Sequence, residues 1–63
     1  MQQLKTKIVI KKLKSNGFEF NRQKGSHMTF KSNTGKIAVI VDSKMQSQGT
    51  LRMIEKSSGV KFS

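Results

Sequence analysis

The sequence predicts a small α+β domain, a three-stranded antiparallel sheet with one helix before it and one after it, both on one face. Three observations carry the prediction. Apolar residues recur at helical spacing near both ends, they alternate at strand spacing through the middle, and glycine-centred turn signals separate these stretches. The 63 residues are read as one domain, 1–63, near the lower limit for folding without disulfides or metals.

A first helix is expected from Thr6 to Ser15, with Thr6 as N-cap, Val9, Ile10 and Leu13 on one stripe, and Asn16-Gly17 as a left-handed stop. The β-branched run Ile8-Val9-Ile10 would equally suit a strand. The lysines decide, because Lys7, Lys11 and Lys14 recur every three to four residues on a face away from Val9 and Leu13. Phe18 to Gln23 alternates as a strand, and Gln23-Lys24-Gly25 reads as a three-residue hairpin loop that sets Phe20 opposite Met28 and Phe18 opposite Phe30. The turn Ser32-Asn33-Thr34-Gly35 leads into Lys36–Asp42, with Lys31 expected opposite Lys36, Phe30 opposite Ile37 and Met28 opposite Val39.

On that register Phe18, Phe20, Met28, Phe30, Ile37, Val39 and Val41 form the buried face. The open face carries Glu19, Asn21, His27, Thr29, Lys31, Lys36, Ala38 and Ile40, with His27 across from Asn21 and Ile40. Ser43 to Gly49 is polar and turn-like. Thr50 is expected to cap a second helix with Leu51 and Ile54 inward and Ser58-Gly59 as its stop, after which Val60 and Phe62 return to the core.

Charge narrows the function. Thirteen Lys and Arg against three acids give a formal net charge of +10, spread from Lys5 to Lys61. Such self-repulsion does nothing for stability and points to a polyanionic partner, nucleic acid or an acidic protein. The longest apolar runs, 8–10 and 37–41, are far shorter than the ~20 residues of a spanning helix, and the lysine-rich N-terminal segment lacks the apolar stretch of a secretory signal. A cytoplasmic protein is expected. With no cysteine, one histidine and three scattered acids, the chain offers no set of ligands for a zinc or two-metal site, and no cofactor is expected.

The one histidine, His27, ends the run Arg22-Gln23-Lys24-Gly25-Ser26-His27 and is the only side chain here that ordinarily exchanges a proton near neutral pH. The residues alone leave two readings open, a general acid/base acting on a bound phosphodiester and a solvated strand histidine.

The segments Gly17-Phe18, Arg22–His27 and Gly49-Thr50-Leu51-Arg52 occur in that order and together resemble the HicA (YcfA-like) family of toxins, over roughly Thr6 to Val60. The resemblance implies a double-stranded-RNA-binding-like α-β-β-β-α fold, an endoribonuclease that cleaves mRNA, and neutralisation by a HicB-type antitoxin. It also implies that His27, which matches the family's strand-start histidine, is catalytic. Where many members carry a proline in the third strand and a histidine just after it, this chain has Ile40 and Asp42, so a mechanism here works with a single histidine.

Cleavage of RNA without metal needs a base for the 2′-hydroxyl, charge stabilisation at phosphorus and a proton for the leaving 5′-oxygen. Imidazole suits the first or last role. Lys24, Arg22 and Lys31 are candidates to stabilise the phosphate charge, Ser26 to hydrogen-bond a phosphate oxygen, and the Gly25 amide to approach it closely. For Lys24 and Lys31 a solvated charge is the competing reading. Arg22 has the parity of the buried face, where it would cap the strand end. Asp42 is a candidate partner of the imidazole, placed toward Gly25 rather than beside His27. The reading is therefore a toxin that cuts single-stranded mRNA. Its rivals are a non-catalytic nucleic-acid-binding module of the same fold and an accessory protein bound to an acidic partner.

Overall fold

The computed structural model describes residues 3–62. Its elements are β1 (Leu4–Lys5), α1 (Thr6–Ser15), β2 (Phe18–Lys24), β3 (His27–Ser32), β4 (Ile37–Val41), β5 (Met45–Gln46) and α2 (Gln48–Ser58). β2, β3 and β4 form the expected antiparallel sheet in that order, while β1 and β5 pair as a separate two-stranded ribbon within and beside the predicted loops. Val9 and Leu13 of α1 and Leu51 and Ile54 of α2 meet Phe18, Phe30, Ala38 and Ile40 in one core, onto which Val60 and Phe62 fold back. Both helices therefore cover one face of the sheet and leave the other open.

The helix interiors follow the sequence, but the residues that cap their starts do not. Lys5, not Thr6, occupies the cap position of α1 and makes no side-chain cap bond. The Thr6 hydroxyl donates instead to the Ser43 carbonyl, because the β1–β5 ribbon brings that carbonyl within reach. Helix α2 begins at Gln48 with Ser47 as its cap, its hydroxyl accepting from the Thr50 amide at 3.3 Å, so Thr50 lies inside the first turn. The stops hold: Gly17 at φ 87° follows α1 and Gly59 at φ 77° ends α2.

Both predicted hairpin registers are corrected. Lys24 pairs with His27, so the first loop is Gly25-Ser26, with Gly25 at φ 60° in the first central position as a type II′ turn requires. Ser32 pairs with Lys36 through its amide and its hydroxyl, so the second loop is Asn33-Thr34-Gly35, with Gly35 at φ 89°. Each loop is one residue shorter than the burial pattern suggested. A bulge at Asn21, between Phe20 and Arg22, absorbs the shift on β2: Phe20 pairs with Phe30 and Phe18 with Ser32, while Arg22 pairs with Thr29.

On β4 the parity is inverted. Phe30 faces Ala38, Met28 faces Ile40, and Ile37 and Val39 lie on the open face, 46% and 43% exposed. The expected pairing of Phe30 with Ile37 would have set two bulky side chains together under the helices. Ala38 opposite Phe30 leaves room for Leu51 and Ile54 in the same core. Phe20, expected to be buried, is 52% exposed at the sheet edge and packs edge-on against Phe30 at 5.7 Å.

Gln46 joins the ribbon to the sheet. Its buried amide accepts from the Val41 amide at 3.2 Å and donates to the Val41 carbonyl at 2.7 Å and to the Thr6 hydroxyl at 2.8 Å. Gln46→Ala is expected to cost about 3 kcal/mol in urea unfolding, since it leaves buried polar groups without partners and opens a void. Met45→Ala, at an exposed neighbour, is expected to cost under about 1 kcal/mol.

Candidate nucleic-acid interface on the open sheet face

Opposed residues of antiparallel strands project to the same face, so the register orders the open face into rows. Across β2, β3 and β4 these rows are Lys24, His27, Val41; then Arg22, Thr29, Val39; then Glu19, Lys31, Ile37. The β2 side is charged and the β4 side is apolar. His27 stands between them, exposed, in the row next to the Gly25-Ser26 turn.

The Asn21 bulge brings the cations to His27. Counting unbroken alternation from Phe20 would turn Arg22 toward the helices. The extra residue reverses that parity and sends both Arg22 and Lys24 to the open face. Lys24 lies directly across from His27, at the ~5 Å spacing of paired strands, and Arg22 occupies the adjacent row. Lys31 shares the face but is four residues along β3, about 13 Å away, where it opposes Glu19. His27 thus faces Lys24 and Val41, correcting the expected neighbours Asn21 and Ile40.

The turn is held from the helix side. The Asp42 amide donates to the Ser26 carbonyl at 2.7 Å, and the Gln23 side-chain amide donates to the Gly25 carbonyl at 3.0 Å and to the Asp42 carboxylate at 2.9 Å. Gln23 pairs with Met28, which places it on the face opposite His27. Asp42 therefore braces the turn from beneath, and no hydrogen bond joins it to the imidazole among the described residues. Gly25 and Ser26 are exposed at the end of the Lys24–His27 row. The other two acids stand elsewhere: Glu19 opposes Lys31, and Glu55 accepts from the Phe62 amide at 2.6 Å.

Sequence reasoning missed Ile37, Val39 and Val41 as the apolar wall of this face. The signal lay in the second turn, where Asn33-Thr34-Gly35 suits a three-residue loop with glycine at the positive-φ position and so sets Ser32 against Lys36.

The family model described as the HicA toxin of bacterial toxin–antitoxin systems matches residues 6–60, spanning α1, the whole sheet and α2. The chain belongs to the HicA toxin family. No curated protein and no solved structure matches it. HicA membership carries a toxin role and an antitoxin partner. Among the described residues no helix is long and apolar enough to cross a membrane.

Because His27 is exposed, its replacement removes no core packing. His27→Ala is expected to shift stability by under about 0.5 kcal/mol. Phe30→Ala, 2% exposed, is expected to cost about 3–5 kcal/mol, both measured by urea unfolding.

Proposed function

We propose that this HicA-family chain is an endoribonuclease that cleaves single-stranded mRNA, with His27 as its general acid/base. The observation that carries the reading is the row Lys24–His27–Val41 with Arg22 beside it. A proton-transfer group and two cations share an exposed surface at a tight, braced turn.

A phosphodiester laid along this face meets Lys24 and Arg22 through its non-bridging oxygens, and their charge stabilises the phosphorane. The 2′-oxygen loses its proton and attacks phosphorus, and the P–O5′ bond breaks. The 5′-oxygen takes up a proton, leaving a 2′,3′-cyclic phosphate and a 5′-hydroxyl. His27 carries one of these two proton transfers, and solvent carries the other. Ser26 and the Gly25 amide are placed to hold the phosphate at the turn. Lys31, two rows from His27, tracks a neighbouring part of the strand. Unpaired RNA suits an open sheet, because its bases can splay toward the apolar β4 side.

An antitoxin that silences such a surface must compete with RNA. The +10 charge favours an inhibitor with an acidic contact surface that covers His27, binds fast at low salt and excludes RNA.

His27→Ala is expected to abolish cleavage and growth inhibition while RNA affinity stays within about threefold, consistent with an exposed site. Cleavage by the unaltered protein is expected to persist in EDTA and to leave a cyclic phosphate. Wild-type cleavage by His27→Ala would mean that His27 is not the catalyst, and RNA binding without cleavage by the unaltered protein would favour a non-catalytic module.

Salt dependence locates the contacts. Each phosphate contact on a single strand adds ~0.7 to the slope of log affinity against log salt. Replacing Arg22 and Lys24 together with alanine is expected to lower the slope by about 1.4 and to slow cleavage. Replacing Lys5 and Lys61 is expected to change both less, and equal effects from the two pairs would mean diffuse attraction without a localised site.

A further inference from the structure

The two edges of the sheet are unlike. β2 carries the Asn21 bulge and the charges Glu19, Arg22 and Lys24, features that discourage further strand pairing. β4 carries neither: it reads Ile37-Ala38-Val39-Ile40-Val41, and its register with β3 is unbroken.

The direction of its backbone groups follows from the ladder. Asp42 donates to Ser26 and Ser32 to Lys36, so positions 36, 38, 40 and 42 bond to β3. Positions 37, 39 and 41 point outward. At Val41 both outward groups are taken, because the Gln46 side-chain amide lies alongside as a strand would. At Ile37 and Val39 the outward amides and carbonyls have no partner among the described residues, and both side chains are exposed.

We propose that the free edge at Ile37–Val39 receives an extended acidic segment of the antitoxin, paired main chain to main chain as an added strand. The inference deepens the inhibition described above by naming where and how the partner docks. Main-chain pairing supplies register, and alternate apolar side chains of the visitor continue the Ile37–Val39 stripe. Its acidic residues meet a +10 protein in which Lys31 pairs with Ile37 and Lys36 precedes it. A second copy of this chain fits poorly. It would bring another +10, and pairing Val39 with Val39 would set Ile37 against a Val41 whose slot Gln46 already fills. The same plug stops an incoming strand beside Val41, in the row of His27, so the visitor leaves the sheet plane next to the proposed catalytic group.

Amide hydrogen exchange on the full chain tests this, with a short blocked peptide of alternating Glu and Val as the probe. Without peptide, Ala38 and Ile40 should be protected and Ile37 and Val39 should exchange freely. With peptide, Ile37 and Val39 should slow by about tenfold or more. Val39→Pro removes only an outward amide and should weaken peptide binding about tenfold, with the β3 ladder intact. The exchange pattern of the unaltered protein decides the matter if that variant folds poorly.

Several outcomes would overturn the proposal: no selective slowing at Ile37 and Val39, equal slowing by a Lys–Val peptide or by an RNA oligonucleotide, or slowing that rises with protein concentration alone. The experiment involves no cleavage, so its failure would leave the His27 chemistry standing. Failure of His27→Ala to abolish cleavage would likewise leave the docking edge standing.

Discussion

Gly25, held at φ 60° in a two-residue turn, sets Lys24 against His27, and that one pairing fixes how β2 meets β3. Strand side chains alternate with period two, so a loop one residue longer would turn every following residue to the other face. The bulge at Asn21 is the matching constraint. It lets Phe18 remain in the core while Arg22 and Lys24 stand on the open face. Without either device the cations part company with the histidine.

The open face that results is divided across the strands rather than along them. Its β2 side is charged and its β4 side apolar, with His27 and Thr29 between. Such a surface offers two modes of recognition at once. Phosphates are drawn to the cations, and apolar matter, whether a base or a partner's side chain, is drawn to Ile37 and Val39. On the function proposed above, RNA and an inhibitor compete for His27 while taking most of their affinity from different sides of it.

A chain with 33% hydrophobic residues has little core to spend on holding its parts together. Gln46 shows how polar bonding supplements it. The side-chain amide stands in for a neighbouring strand at Val41 and ties in Thr6 at the start of α1, so the ribbon, the sheet edge and the first helix share one buried hydrogen-bonded point. The cation of Lys12 over the Phe62 ring, 5.6 Å from its centroid, gives the returning tail a further tie to α1.

The sequence by itself determined the fold class, the span of α1, the glycine stops and the membership of Val9, Leu13, Leu51 and Ile54 in the core, because these depend on local periodicity and on residues that alone accept positive φ. It also singled out His27 as the one histidine, and Lys24 and Arg22 by their place beside it in the chain. Tertiary structure alone decided which face the residues of β4 and the bulged end of β2 take. Ile37, Val39 and Val41 and the set Ala38 and Ile40 are both apolar enough to be buried, so patterning could not rank them; the space beside Phe30 under two helices did. The β1–β5 ribbon and the tie from Gln46 to Thr6 rest on contacts between residues some 40 positions apart, and no local signal encodes such a meeting.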